Sequence, residues 1–227
     1  MRHPRPSLER ERALWAEGGG FVAGVDEAGR GPLAGPVVAA AVVFPTGCSA
    51  VRGLRDSKIL PPSVRARLAE KIRTRVIAFG IGAASAHEID VYNIRVASAI
   101  AMRRAIARLI RRSSLAPFPT GQCRPTDAAG LRFRIIIDGL PLPEIGYAHE
   151  ALIDGDALCQ SISAAAILAK TLRDRLMQRL ADRYPGYGWH TNVGYGTEEH
   201  QEGLRVQGPT RHHRLTFAPI AQISLLL

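Results

Sequence analysis

Four acidic side chains share one context. Asp26 and Glu27 close an apolar run at 21–25, Asp138 closes a second that ends at 137, and Asp156 follows a third at 150–153. Each stands beside a glycine or a turn. Carboxylates at the ends of apolar strands are costly to bury unless something compensates them. In open α/β sheets, strand ends are also where ligands sit. Three or four carboxylates converging there would repel one another unless a cation lay between them. Oxygen-only ligands suit Mg²⁺ or Mn²⁺ rather than zinc. Two such ions can clamp the attacking water and the leaving oxygen of a phosphodiester. Taken singly, Asp138-Gly139 or Asp156 is an ordinary turn former.

The second feature is Gly29-Arg30-Gly31-Pro32-Leu33-Ala34-Gly35. Gly29, Gly31 and Ala34 match the spacing of a dinucleotide fingerprint, but that fingerprint opens a helix, and here Pro36 and a β-branched run follow. The loop has no Lys-Ser/Thr pair, so it is no P-loop either. It reads as a turn whose glycines let the backbone approach a substrate closely, with Arg30 offering a guanidinium fork to phosphate. His87, His190, His200, His212 and His213 show no ligand spacing supported by a helix or strand, and are expected to be solvated or structural.

These residues need elements to hold them. The pattern predicts a short charged helix at 7–17 and strands at 21–25 and 37–44. A helix from Pro61-Pro62-Ser63 to about Thr74 and a strand at 75–84 come next. A long helix at 93–112 then carries Arg104, Arg108 and Arg111 along one face, read as solvated, with phosphate contact as the alternative. Strands at 132–137 and 150–153 and an amphipathic helix at 161–183 complete the core. Residues 113–130, rich in Pro, Ser, Thr and Gly, read as a surface loop. The order β-β-α-β-α-β-β-α predicts an α/β fold, a mixed β-sheet flanked by helices, with a helical C-terminal extension. One domain is expected over 1–227, its core at about 20–184 and a substrate-contacting extension at about 185–227.

Of 227 residues, 46% are hydrophobic and 22% charged, which excludes wholesale disorder. Thirty Lys+Arg against twenty Asp+Glu leave +10, and only Lys58, Lys71 and Lys170 of the thirty are lysines. This balance suits a polyanion. No apolar run reaches the ~18 residues of a membrane span, and the N-terminus lacks a signal-type apolar segment. Cys48, Cys123 and Cys159 are odd in number and form no C-x-x-C pair, as expected in a reducing cytoplasm.

The block from Gly24 to Val38, which contains Asp26-Glu27-Ala28-Gly29-Arg30-Gly31-Pro32-Leu33-Ala34-Gly35-Pro36, resembles the opening motif of bacterial ribonuclease HII. Further matches follow in order. They are Asp56-Ser57-Lys58; Glu88-Ile89-Asp90 with Asn93-Ile94; Ile137-Asp138-Gly139; Gly155-Asp156; Ser161-Ile162 through Lys170 to Arg173-Asp174; Gly194-Tyr195 with Thr197 and His200; and His213-Arg214 with Phe217 and Pro219. The resemblance covers roughly residues 10–220. It implies a ribonuclease H-like fold and a metal-dependent endoribonuclease that uses Mn²⁺ or Mg²⁺. Such an enzyme hydrolyses the RNA strand of RNA–DNA hybrids and cuts 5′ to single ribonucleotides in duplex DNA, leaving a 3′-hydroxyl and a 5′-phosphate. Its role would be ribonucleotide removal from DNA and RNA primer removal. The family's acidic positions fall on Asp26, Glu27, Asp138 and Asp156, as catalytic residues and metal ligands. Its 2′-OH-sensing loop falls on Gly29, Arg30 and Gly31, and its substrate tyrosine on Tyr195. Lys58 and Lys170 are expected to neutralise phosphates.

Val193 and Asp154 stand where the family usually has lysine, and Ala166 where it has serine; Ser163, one turn earlier, is expected to supply that hydroxyl. A monomer is expected, with no membrane partner. Two other readings compete: a DNA phosphoryl transferase of resolvase or transposase type, and a non-catalytic nucleic-acid-binding module. An all-DNA duplex control separates the first, and cleavage with and without EDTA the second.

Overall fold

The computed structural model describes residues 5–17, 20–113 and 133–224; the stretch from 114 to 130, expected to be a loop, lies outside them. Five strands form one sheet in the order β3-β2-β1-β4-β5: β1 (Phe21–Ala28), β2 (Val37–Val43), β3 (Ala78–Ala84), β4 (Phe133–Asp138) and β5 (Glu150–Leu152). The pairs β1–β2 and β2–β3 are antiparallel. The pairs β1–β4 and β4–β5 are parallel. The mixed sheet is therefore the expected one. Helices α1 (Glu9–Ala16), α2 (Pro62–Arg73) and α3 (Ala86–Ser113) precede β4; α4 (Gly155–Leu158) and α5 (Gln160–Arg183) follow β5. The chain then runs through α6 (Trp189–Asn192), α7 (Glu198–Gln207) and α8 (Ala218–Ser224), the expected helical extension.

Strand alternation divides the core. Val25, Val37, Ala39, Ala41 and Val43 face α3. Ala40 and Val42 face α2 and the first half of α5. Leu8, Leu14 and Trp15 of the N-terminal segment pack on Val22, Ile136 and Ile162.

Helix α3 begins seven residues before the expected start. Ser85 and Glu88 form a reciprocal capping box: Glu88 N donates to Ser85 Oγ (3.2 Å) and Ser85 N to Glu88 Oε2 (2.9 Å). The helix breaks at Asn93 (φ 64°), whose Oδ1 accepts from the amides of Arg95 (2.9 Å) and Val96 (3.1 Å) and so caps the longer half. The arginine stripe on that half is not simply solvated. Arg104 and Arg108 donate to the carbonyls of Ala83 and Ile81 at 2.7 Å, and Arg112 donates to that of Phe79 at 3.4 Å. Guanidiniums one turn apart thus satisfy alternate outward carbonyls of β3, the edge strand, and block strand addition there. The helix can come this close because β3 carries glycine at 80 and 82, where a Cβ would lie 2.0 Å from the carbonyl oxygens of Ala105 and Ala101.

Candidate active site

Strand β1 runs three residues past its expected end, so Asp26 and Glu27 lie inside it rather than beyond it. Its register with β4 pairs Val25 with Ile137, which sets Asp26 beside Asp138. Asp138 in turn pairs with Leu152, the last residue of β5. Four residues on, Asp156 sits in α4, and the Gly155 amide donates to Asp138 Oδ1 at 2.7 Å. Three parallel strand ends therefore deliver the acids to one place, and the Gly155–Asp138 bond fixes the turn that carries the fourth.

Their surroundings are short of positive charge. Asp26 is only 6% exposed; its Oδ1 accepts from the Glu27 amide at 2.6 Å. Burial, followed by Glu27, Asp138 and Asp156, holds its carboxyl well above the usual range. Burial also raises Glu27, against the opposing pull of Arg30, 3.4 Å away. Asp156 is raised by burial, Asp138 and Asp56, and Lys58 opposes them. Burial disfavours the Lys58 ammonium, but the summed fields of Asp56, Asp156, Asp26 and Asp138 outweigh it and hold its pKa up. Crowded, desolvated, oxygen-only donors fit a hard divalent cation, which would remove the repulsion. Among the described residues no three acids, histidines or cysteines are already closed into a metal-holding group.

The Gly29–Arg30–Gly31 turn stands over this end of the sheet, held from beneath by two arginines that sequence reading assigned no role. Arg214 donates to the carbonyls of Gly29 (2.6 Å), Arg30 (2.7 Å) and Gly35 (2.9 and 3.1 Å). Arg173 donates to those of Pro36, Val193 and Ala34 at 2.9–3.0 Å. Both are fully buried, and every hydrogen bond they make among the described residues goes to a backbone carbonyl. Burial, together with Arg173, pushes Arg214 down to about 9. A signal for Arg173 exists in the sequence: Ala169, Arg173, Met177 and Ala181 recur at i, i+4. This stripe stays buried along α5, whereas the expected apolar face, buried at Ile162, Ala165 and Ala169, is only half-buried at Leu172, Leu176 and Leu180. The shift follows from the extension, whose Tyr187, Trp189 and Leu204 pack on Met177, Ala181 and Leu33.

Gly29 has φ +95°, and a Cβ there would meet Arg173 Nε at 2.0 Å. Gly31 is open: its nearest neighbour would be the Tyr195 ring at 3.7 Å. Tyr195, 46% exposed, thus stands across from the loop. Lys58 and Lys170 line one groove of about 400 Å³ with Arg65, Arg175 and Gln178. Lys170 donates to Asp174 (2.7 Å), which also takes Arg65 (2.6 Å), so its charge is shared rather than free. Ser163 is a correction. It is fully buried on α5 and its Oγ donates to the Arg55 carbonyl at 3.3 Å, so it faces the protein interior and cannot offer a hydroxyl to substrate. His200 and His213 are buried and structural, while His190 pairs with Asp182 (3.2 Å) at the surface. No helix among the described residues is long and apolar enough to cross a membrane.

The family model described as ribonuclease HII matches residues 23–220. A ribonuclease HII of Synechococcus sp. (strain JA-3-3Ab) is 48% identical over 221 residues, 96% of this chain and 91% of its own. That of Paraburkholderia xenovorans (strain LB400) is 46% identical over 91% of this chain and 76% of its own. In structure, the chain is similar to ribonuclease H2 from Pyrococcus horikoshii OT3 (TM-score 0.68, 24% identity, 91% and 98% covered). It is also similar to Bst-RNase HIII in complex with Mn²⁺ (TM-score 0.64, 20% identity, 95% and 73% covered). With its acids, its glycine turn and most of its extension inside the matched span, the chain belongs to the ribonuclease HII family, metal-dependent nucleases that hydrolyse RNA in RNA–DNA hybrids.

Proposed function

We propose that the protein cuts RNA–DNA hybrids and also the 5′ side of a single ribonucleotide embedded in duplex DNA, leaving a 3′-hydroxyl and a 5′-phosphate. The observation that carries this reading is the meeting of three parallel strand ends bearing acids beneath a glycine turn whose carbonyls are fixed by buried arginines. Asp26, Glu27, Asp138 and Asp156 would hold Mg²⁺ or Mn²⁺. When bound, such ions activate water and offset charge on the phosphodiester. The chain's own residues do the rest. Gly29 and Gly31 let the loop reach the ribose 2′-OH, the one group that DNA lacks. Arg30, Lys58 and Lys170 neutralise neighbouring phosphates, and the Tyr195 ring stacks on the sugar at the junction.

Read in this way, the chain acts as one domain in the cytoplasm, in ribonucleotide and primer removal. The net +10 supplies non-specific, salt-sensitive duplex affinity. Asp138→Asn tests the assignment. Cleavage should fall by orders of magnitude in either metal while duplex binding stays near parental. Parental cleavage by that variant would refute the assignment of these acids as metal ligands.

A further inference from the structure

The extension buries two imidazoles face to face, with His200 Nε2 and His213 Nε2 3.0 Å apart. Their other contacts decide which nitrogen carries each proton. His213 Nδ1 accepts the Thr210 amide at 2.8 Å and lies 3.0 Å from the Thr210 hydroxyl, so the His213 proton is on Nε2 and points at His200. His200 Nε2 is therefore an acceptor, and it also takes the Trp189 indole N–H at 3.2 Å. That leaves the His200 proton on Nδ1, donating to the Tyr195 carbonyl at 2.8 Å. The donors run one way, from the Thr210 amide through both rings to the Tyr195 peptide. A further proton on His200 would set two Nε2–H groups against each other across 3.0 Å, and one on His213 would set its Nδ1–H against the Thr210 amide at 2.8 Å.

Apolar residues of the same volume would fill this space without ordering any donors. The surroundings favour neutral rings. Tyr187 and Trp189 wall the pair, with ring centroids 4.8–6.0 Å away. The titratable groups facing it are Tyr187 and His212, with Arg214 adjoining in the chain. Burial lowers both imidazoles, His213 to about 4.

We propose that His200, oriented by His213, is a positioning residue that fixes the Tyr195 peptide and so sets the exposed ring beside Gly31. The proposal rests on the reading of Tyr195 as a substrate contact. The variants H200Q, H200N, Y195A and Y195A/H200Q test it. Glutamine keeps an acceptor near the Nε2 position but loses the donor to Tyr195; asparagine keeps a donor near Nδ1. On a duplex with one ribonucleotide, Y195A should lower kcat/KM about tenfold or more, as loss of a stacked ring does. H200Q should lower it several-fold through KM, H200N should recover most of that loss, and H200Q should cost nothing further in the Y195A background.

An H200Q effect equal in both backgrounds, or H200N no better than H200Q, overturns the proposal. If Y195A cleaves with parental kcat/KM, the Tyr195 reading falls first and the proposal with it. A measurement independent of variant folding uses ¹⁵N spectra of the unmodified protein at pH 7. They should show His200 protonated on Nδ1 and His213 on Nε2, with His213 still neutral at pH 5.5. The reverse tautomers, or titration near 6.5, contradict it.

Discussion

Gly29 and Gly31 sit two residues apart in the same loop, yet alanine should act on them in opposite ways. At Gly29 the backbone has φ +95°, a region that costs a non-glycine residue about 1–2 kcal/mol. The new methyl would also stand 2.0 Å from Arg173 Nε, and Arg173 is fully buried with three carbonyls to satisfy. Displacing it forfeits at least one charge-assisted hydrogen bond, worth about 1.5–3 kcal/mol. The sum is about 4 kcal/mol, which lowers Tm by roughly 10 °C in a chain of this size. At Gly31 a Cβ meets only the Tyr195 ring, at an ordinary 3.7 Å, so Gly31→Ala should melt within about 0.5 kcal/mol of the parent. That methyl instead occupies the gap between loop and tyrosine where the ribose is proposed to sit. Catalytic efficiency on a single-ribonucleotide duplex should then fall about tenfold or more. Thermal melts followed by circular dichroism, with cleavage kinetics on the same preparations, separate the two. Equal melting of both variants, or parental efficiency in Gly31→Ala, would show that the loop is not shaped for the ribose.

Two further outcomes follow from the buried titratable groups of the extension. Arg214→Lys keeps the charge but loses the fork that reaches three carbonyls; we expect a Tm loss of several degrees and a raised KM, because Gly29 and Arg30 lose their anchor. His213 is held at about 4 when folded, against about 6.5 when unfolded, so the unfolded chain takes up the proton first. Its contribution is complete above pH 6.5 and is lost as pH falls toward 4, up to about 3 kcal/mol. Urea unfolding at pH 7 and pH 4.5 should show this loss, and His213→Asn should flatten it.

What could be read from the sequence was local. The strand-ending acids, the glycine turn and the amphipathic helix each carry a short-range pattern, and the sheet joined them as expected. The rest depended on what packs against what. Asp26 and Glu27 lie within β1 because β2 pairs with them through Ala40 and Ala39, which the run of apolar residues could not show. The register of α5 shifted onto Arg173 because the extension covers that stripe. Arg104 and Arg108 bond to carbonyls because β3 is an edge strand, a property of strand order rather than of helix periodicity. Ser163 illustrates the converse: one helical turn of spacing suggested a substrate hydroxyl, and packing under residue 55 buried it. The Ser85–Glu88 capping box starts α3 at 86, a short-range signal that the reading of the helix from 93 passed over.

The position of the cut in a DNA duplex that holds one ribonucleotide, with Mn²⁺ or Mg²⁺ present and an all-DNA duplex beside it, decides whether the acids and the glycine turn act together on the ribose. Incision is expected on the 5′ side of the ribonucleotide, with a 3′-hydroxyl on the upstream fragment, no cut in the all-DNA control and none after EDTA. Incision only on the 3′ side, or equal cutting of the all-DNA duplex, would contradict that joint action.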